Sequence, residues 1–292
     1  MEIIRTIEAW QAVRATWQDA AGVGVIPTMG YLHAGHLSLV GMARQQQARV
    51  AVSIFVNPLQ FGPSEDLAAY PRDEAHDLAL LAAAEVDAVF IPSAAEMYPA
   101  GFATQITVSG PLTERLEGAR RPGHYAGVAT VVSKLFAIMR PTHAYFGQKD
   151  AQQLAVVRRF VADLNLPVQI IAGSIIREHD GLAMSSRNIY LSPVERAAAL
   201  VLQHALAVAQ TAINNGERRA EAIRAIVGDS IAAEPLATLD YVDVVDPATF
   251  LPLAVVQPPA LLDLVVKIGK PRLLDNFLWR ADGTWDVGVR DV

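Results

Sequence analysis

Residues 22–40, GVGVIPTMGYLHAGHLSLV, decide how the rest of this chain is read. A short apolar run (Val23, Val25, Ile26) reads as a buried strand that stops at Pro27, and Thr28-Met29-Gly30 make a turn. From Ala34 onward, Leu37, Leu39, Val40 and Ala43 take up helical spacing. His33 and His36 fall at the strand-to-helix junction, with Gly35 between them. A helix N-terminus leaves backbone N–H groups unpaired and carries partial positive charge, so it suits a phosphate. Two imidazoles there add donors or deliver a proton to a leaving oxygen. Gly30 and Gly35 let the backbone approach a ligand or take positive φ at little cost. A single histidine at a helix start is commonly a cap or a packed side chain. The pair in H-x-G-H, directly after P-T-M-G, points instead to a nucleotide site.

Bulk properties bound the function. At 292 residues, 52% hydrophobic and 18% charged, the chain is long enough for a large core and two domains. A net charge of −6 argues against a nucleic-acid surface, which needs a basic face. With no cysteine, disulfides and thiolate metal sites are excluded. The start, MEIIRTIEAW, does not resemble a signal peptide, and no uninterrupted apolar run approaches the roughly 20 residues of a membrane helix. The expectation is a soluble, cytoplasmic protein.

Outward from the opening motif, residues 6–20 read as an amphipathic helix carrying Ile7, Trp10, Val13 and Trp17 on one face. Ala48–Val56 is an apolar strand of the kind buried in a parallel sheet. It ends in Asn57-Pro58-Leu59-Gln60-Phe61-Gly62, where an open α/β sheet presents its ligand-binding edge. Asn57 and Gln60 are therefore site candidates, with turn chemistry the plainer alternative. Asp66 to Arg72 lead into a helix near 73–84. On it, Asp73 and Asp77 lie i,i+4 and either share a cation or simply complement the helix dipole. Asp87–Pro92 is a strand, 93–124 is irregular with a short strand at 105–109, and Tyr125–Met139 is a helix. Glu117–His124 is a loop that either closes over an anion or stays exposed. His143–Gly147 is a strand running into Gln148-Lys149-Asp150 and a helix to Leu164 bearing Gln152 and Gln153. Lysine there suits phosphate as a point charge, and a carboxylate beside it suits ribose hydroxyls. After a strand at 167–172, Ser185-Ser186-Arg187 resembles a phosphate clamp.

From Ser192-Pro193, a cap followed by proline at the first helical position, the character changes. Helices at about 193–213 and 217–232 precede strands at 239–245, 261–268 and 272–279. The fold expected is α/β, with a Rossmann-like parallel sheet in residues 1–175 and a smaller α+β domain in residues 176–292. No P-loop is present, and Gly22/Gly24 lack the third glycine of the dinucleotide fingerprint.

With these pieces placed, the chain resembles the pantoate–β-alanine ligase family. The resemblance rests on PTMGYLHAGHLSLV (27–40), SIFVNPLQFGPSEDLAAYPR (53–72), EGARRPGHYAGVATVVSKLF (117–136), FGQKDAQQLAVVRRFVADLN (146–165) and REHDGLAMSSRNIYLSPVER (177–196). LDYVDVVD (239–246) and RLLDN (272–276) extend it over nearly the whole chain. H-x-G-H alone marks only the wider nucleotidylyltransferase-like superfamily; NPLQFG, FGQKD and MSSRN narrow it. LLDLVVKIGKP (261–271) is more apolar than the family pattern, and His179 departs from it within REHDGL.

The resemblance implies ATP-dependent ligation through a pantoyl adenylate, with Mg²⁺, and a homodimer with no membrane or nucleic-acid partner. It implies ATP binding by Met29, Gly30, Tyr31, Leu32, His33, Ala34, Gly35 and His36. Gly147, Gln148, Lys149, Asp150, Ile176, Met184, Ser185, Ser186 and Arg187 would complete that site. His36 would be the proton donor, His33 and Lys149 phosphate partners. Gln60 and Gln153 would hold pantoate, Gln60 and Asn57 would border β-alanine, and the Mg²⁺ ligands stay open, with Asp77 a candidate. A nucleotidyl transfer to a phosphate acceptor leaves the paired glutamines and the C-terminal domain unexplained. A non-catalytic nucleotide sensor has no use for a proton donor.

Overall fold

The computed structural model describes residues 1–63, 65 and 67–290. The chain forms two compact units, Met1–Gly147 with Gln153–Gly173, and Gln148–Gln152 with Ser174–Val292. The Gln148–Gln152 segment, expected in the first domain, thus belongs with the second. Asp66, where the lead into the third helix was expected to start, lies outside the described residues.

In the first unit the order is β1 (Glu2–Ile4), α1 (Ile7–Ala15), β2 (Val23–Thr28), α2 (Ala34–Gln46), β3 (Arg49–Ile54), α3 (Glu74–Ala83) and β4 (Ala88–Phe90). Three short helices follow, α4 (Ala94–Met97), α5 (Pro111–Glu114) and α6 (Leu116–Arg120). Then come α7 (His124–Met139), β5 (His143–Gly147), α8 (Ala151–Asp163) and β6 (Gln169–Gly173). The six strands form one sheet in the order β1-β4-β3-β2-β5-β6, every pair parallel. Each connection from strand to neighbouring strand is a crossover, as parallel pairing demands. The chain starts at the edge as β1, runs β2, β3, β4 outward until β4 lies beside β1, then returns beside β2 as β5. That reversal makes the carboxyl ends of β2 and β5 the switch point at which ligands of open α/β sheets bind.

The sheet is covered on both faces. Trp10, Val25, Phe90, Val128, Phe146 and Phe160 belong to one buried cluster, and Ile26, Leu39, Val52, Leu81, Val89 and Tyr145 to the other. Val25 and Ile26, or Val89 and Phe90, are adjacent residues serving opposite faces, which explains the unbroken apolar runs. Each such fully buried side chain contributes about 1.5–3 kcal/mol of transfer free energy.

Three expectations need correcting, and one strand is added. The opening strand does not stop at Pro27 but continues through it to Thr28 beside Ser53 and Ile54 of β3. Proline is tolerated because β5 pairs with β2 only at Gly24 and Val25, so no ladder on that side needs the missing N–H. The first helix ends at Ala15, and Trp17 packs edge-on against Trp10 from beyond it, with ring centroids 5.8 Å apart. No strand forms at 105–109; Ile106 N–H donates to the Thr130 hydroxyl instead (2.9 Å), and 93–124 holds three short helices. Glu2–Ile4, too short to show periodicity, is an edge strand on β4.

The second unit contains β7 (Ile176–Arg177), α9 (Pro193–Ala198), α10 (Val201–Asn214), α11 (Ala220–Ala232), β8 (Ala237–Val245), β9 (Ala260–Ile268), β10 (Arg272–Trp279), β11 (Trp285–Asp286) and β12 (Val289–Arg290). An antiparallel sheet β11-β10-β9-β8 packs against α10 and α11, and β12 runs parallel to β7. This is the expected α+β arrangement. The unusually apolar 261–268 run is β9, inside this sheet and buried at every position but Lys267. Pro193–Asn214 has, against expectation, the length and hydropathy to cross a membrane. The structure divides it into α9 and α10, and α10 buries Leu202, Leu206, Ala209 and Ile213 in the core of its own unit.

Candidate active site

The turn after β2 is the most constrained part of the first unit. Gly30 and Tyr31 both have positive φ (81° and 53°), a conformation costly for any residue but glycine. A side chain on Gly30 would meet Ile54 Cγ2 at 2.9 Å and Asp77 Oδ2 at 3.0 Å, so there is no room for one. Asp77, in the first turn of α3 and 1% exposed, holds the turn. Its Oδ2 accepts from Tyr31 N (2.8 Å) and its Oδ1 from Leu32 N (2.7 Å). Burial pushes its carboxyl above the usual range, with the two N–H groups pulling the other way. Asp77 thus scaffolds the turn through both of its oxygens. Asp73 caps α3 by accepting from His76 N (3.0 Å), so each acid serves backbone N–H groups rather than a common cation. Among the described residues no group of three or more His, Cys, Asp or Glu could hold an ion.

Directly after this turn, α2 begins with a reciprocal cap made of imidazoles. His33 Nδ1 accepts from Gly35 N (3.1 Å), and His36 Nδ1 accepts from His33 N (3.3 Å). Both Nδ1 atoms being acceptors, this network assigns each neutral ring its proton at Nε2. The rings lie 4.1 Å apart between centroids. Two Nε2–H donors are thus gathered at a helix N-terminus, where backbone dipoles favour an anion.

Gln60 closes a 3-10 turn, Pro58–Gln60, and its Nε2 lies 3.2 Å from Met29 Sδ in the histidine turn. Its neighbourhood joins Asn57 to residues not individually expected there, Tyr98, Arg121, His124 and Glu65. Asn57, 1% exposed, has every polar atom engaged. Its Nδ2 donates to Gln60 Oε1 and to Gly127 O (both 3.1 Å), and its Oδ1 accepts from Leu59 N (3.3 Å) and the Tyr98 hydroxyl (2.7 Å). Asn57 thus orients Gln60 and has no hydrogen left for β-alanine. Burial raises the Tyr98 hydroxyl to about 12, keeping it a donor. The carbonyl of Gln60 accepts from His124 Nδ1 (2.9 Å) and Arg121 Nη2 (3.3 Å). Since a carbonyl only accepts, His124 carries its proton on Nδ1, and its Nε2 accepts from Arg121 Nη1 (3.1 Å). Arg121 is gripped in turn by both Glu65 oxygens (2.8 and 2.6 Å). Within 117–124, Ala119, Arg120, Pro122 and Gly123 are exposed, while Arg121 and His124 turn inward and buttress Gln60.

The remaining expected residues fall as follows. Gly147 ends β5, and Gln153 is half-buried in the first turn of α8. In the second unit, Gln148–Asp150 is a 3-10 turn, with Lys149 Nζ 4.0 Å from Asp150 Oδ1. Ile176 lies in β7, and its carbonyl accepts from Met184 N (2.9 Å). Ser185 caps a 3-10 turn by accepting from Arg187 N (3.3 Å), and Ser186 is buried within it. Arg177, next to Ile176 in β7, spends its guanidinium on Asp275, Gly181 O and Val287 O.

A parallel sheet whose switch point leads into H-x-G-H at a helix N-terminus defines a nucleotide-binding α/β protein. The Pantoate-beta-alanine ligase family model matches residues 2–278. The pantothenate synthetases of Herpetosiphon aurantiacus and Roseiflexus castenholzii are 54% and 56% identical over 279 and 281 residues, covering 95% and 96% of this chain and 100% of each relative. Among solved structures, the pantothenate synthetase of Thermus thermophilus superposes with a TM-score of 0.90 at 47% identity, covering 94% of this chain and 98% of its own. The pantoate-β-alanine ligase of Francisella tularensis, complexed with β-γ ATP and β-alanine, gives 0.78 at 32% identity, covering 95% and 97%. The chain belongs to the pantoate–β-alanine ligase family, and it is a ligase.

Proposed function

We propose that the protein condenses pantoate with β-alanine, forming pantothenate, AMP and pyrophosphate through a pantoyl adenylate. Family membership supports the overall reaction. The observation that carries the mechanism is the reciprocal imidazole cap, two Nε2–H donors fixed at the N-terminus of α2 with the Gln60 amide beside the same turn. In the first step a pantoate carboxylate oxygen bonds to the α-phosphorus of ATP while the bond to the bridging oxygen breaks and pyrophosphate leaves. Charge grows on phosphate oxygens, and neutral Nε2–H donors held by backbone bonds stabilise it without reorganising. His36 donates its Nε2–H as a hydrogen bond to the oxygens of the departing pyrophosphate, and His33 and Lys149 contact phosphate. In the second step the β-alanine amine attacks the acyl carbon and AMP departs.

Gln60 and Gln153 hold pantoate, and Gln60 borders the amine. Asp150 meets ribose, the Ile176 backbone adenine, and Met184, Ser185, Ser186 and Arg187 the rest of the nucleotide. Mg²⁺ enters as part of the substrate MgATP, bound through phosphates as this ion prefers. A homodimer in the cytoplasm completes the reading.

The test measures pyrophosphate and AMP release with ATP, Mg²⁺ and pantoate, with and without β-alanine, beside His36→Ala. Pyrophosphate in a single burst, with steady AMP release only when β-alanine is present, supports the ligase; a loss of about 10²–10³ in rate on removing His36 supports its role. ATP binding without turnover would leave a nucleotide sensor.

A further inference from the structure

The RLLDN segment plays no part in the mechanism above, yet its last two residues are among the most buried polar groups in the chain, Asp275 at 1% and Asn276 at 0% exposure. As neighbours on strand β10 their side chains leave opposite faces, and each holds a different loop. Asn276 Nδ2 donates to both carbonyls of the lysine-bearing turn, Lys149 O at 2.9 Å and Gln148 O at 3.2 Å. Gln148 Nε2 returns a long bond to Asn276 Oδ1 (3.5 Å). Asp275 grips Arg177 with both oxygens (2.7 and 2.8 Å), and its Oδ1 also accepts from Asn276 N (2.8 Å). Lys149, Ser185, Asn188 and Asp275 line one small cavity, so the turn, the serine loop and β10 meet there.

We propose that Asn276 is a positioning residue for Lys149, setting the backbone of its turn from behind; the proposal rests on the reading of Lys149 as a phosphate contact. Lysine ends in a compact charge on a flexible four-carbon stem, so its reach is defined only if its backbone is. A single buried amide with two donors is suited to fix two successive carbonyls of one turn. Small displacements of a charge from the reacting phosphate are costly, about a hundredfold for 1 Å.

The experiment is a double-mutant cycle in pantoate-dependent exchange of pyrophosphate into ATP, using Asn276→Ala, Lys149→Ala and both together, with thermal unfolding of each. Asn276→Ala is expected to lower the exchange kcat about ten- to a hundredfold and to leave the KM for pantoate unmoved. The double variant is expected to be no slower than Lys149→Ala, because the clamp then has nothing to place. Asn276→Asp, which turns a carboxylate toward two carbonyls, should be at least as slow as Asn276→Ala. If the two losses multiply, or Asn276→Ala exchanges at the wild-type rate, the positioning role is overturned. If Lys149→Ala exchanges normally, the reading of Lys149 itself falls. Should Asn276→Ala fail to fold, Asn276→Ser, which keeps a donor in the same space, carries the cycle.

Discussion

His124 shows how much a single side chain can hide from a sequence. Its ring is 8% exposed and sits between a carbonyl that needs its Nδ1–H and an arginine that needs its Nε2 lone pair. Burial, reinforced by the positive Arg121, lowers its pKa from the ordinary 6.5 to about 4. The unfolded chain therefore binds a proton near pH 6.5 that the folded chain refuses until about pH 4. Stability from this residue is intact above pH 6.5 and falls as pH drops through that window. The protein is expected to lose about 2 kcal/mol from this group between pH 8 and pH 5. Urea midpoints at the two pH values check it, and the slope should shrink in His124→Asn. An unchanged slope would mean that the ring is already charged in the fold. Asp77 teaches the same lesson from the other side. Its spacing from Asp73 suggested a cation, whereas both of its oxygens serve backbone N–H groups of a turn distant in sequence.

At the scale of elements, the start of α2 carries a structural and a chemical duty in the same two residues, and they can be separated. His33 Nδ1 is a helix cap, so His33→Ala should cost about 1 kcal/mol in unfolding free energy. His33→Asn keeps a capping acceptor and lacks the Nε2 donor. It should recover most of that stability while remaining as slow in adenylation as His33→Ala; recovery of rate with stability would reduce His33 to a cap. The seat of the Gln60 turn on α7 is a second such case. A Cβ at Gly127 would fall 2.2 Å from Leu59 O and 2.7 Å from Gln60 Cα, both backbone atoms with no side-chain freedom. Gly127→Ala must therefore push the turn off the helix. It is expected to raise the KM for pantoate about tenfold or more with a smaller change in the KM for ATP, read from steady-state kinetics. The strand–turn–helix, the polar loop after β3 and the lysine turn were legible in the sequence because local spacing and flanking residues fix them. The Gly127 seat, the Tyr98–Asn57 bond and the Asn276 clamp were not. Each pairs residues dozens of positions apart, and a lone glycine, tyrosine or asparagine carries no periodicity.

At the scale of the molecule, the change from alternating β and α segments to helices followed by strands gave away two kinds of architecture, because parallel pairing needs crossovers and antiparallel pairing does not. What it could not convey is that Gln148–Gln152, continuous with β5 and α8, belongs with the later residues. Asn276, more than a hundred positions downstream, holds two of its carbonyls. Each unit also has a core of its own. One is made on the two faces of the parallel sheet, the other where Leu202, Leu206, Ile223 and Val227 meet Leu262, Leu264 and Phe277. Separate cores predict that unfolding is not a single all-or-none event. Leu206, 0% exposed in α10, tests this cleanly, since Leu206→Ala leaves a cavity costing about 2–5 kcal/mol. Calorimetry of the wild-type protein should give an enthalpy larger than the van't Hoff value. In the variant, one component should move down by roughly 8–20 °C, at about 4 °C per kcal/mol for a unit of somewhat over 100 residues. The other component should hold its midpoint. A single transition with matching enthalpies, shifted as a whole by Leu206→Ala, would show that the two cores melt as one.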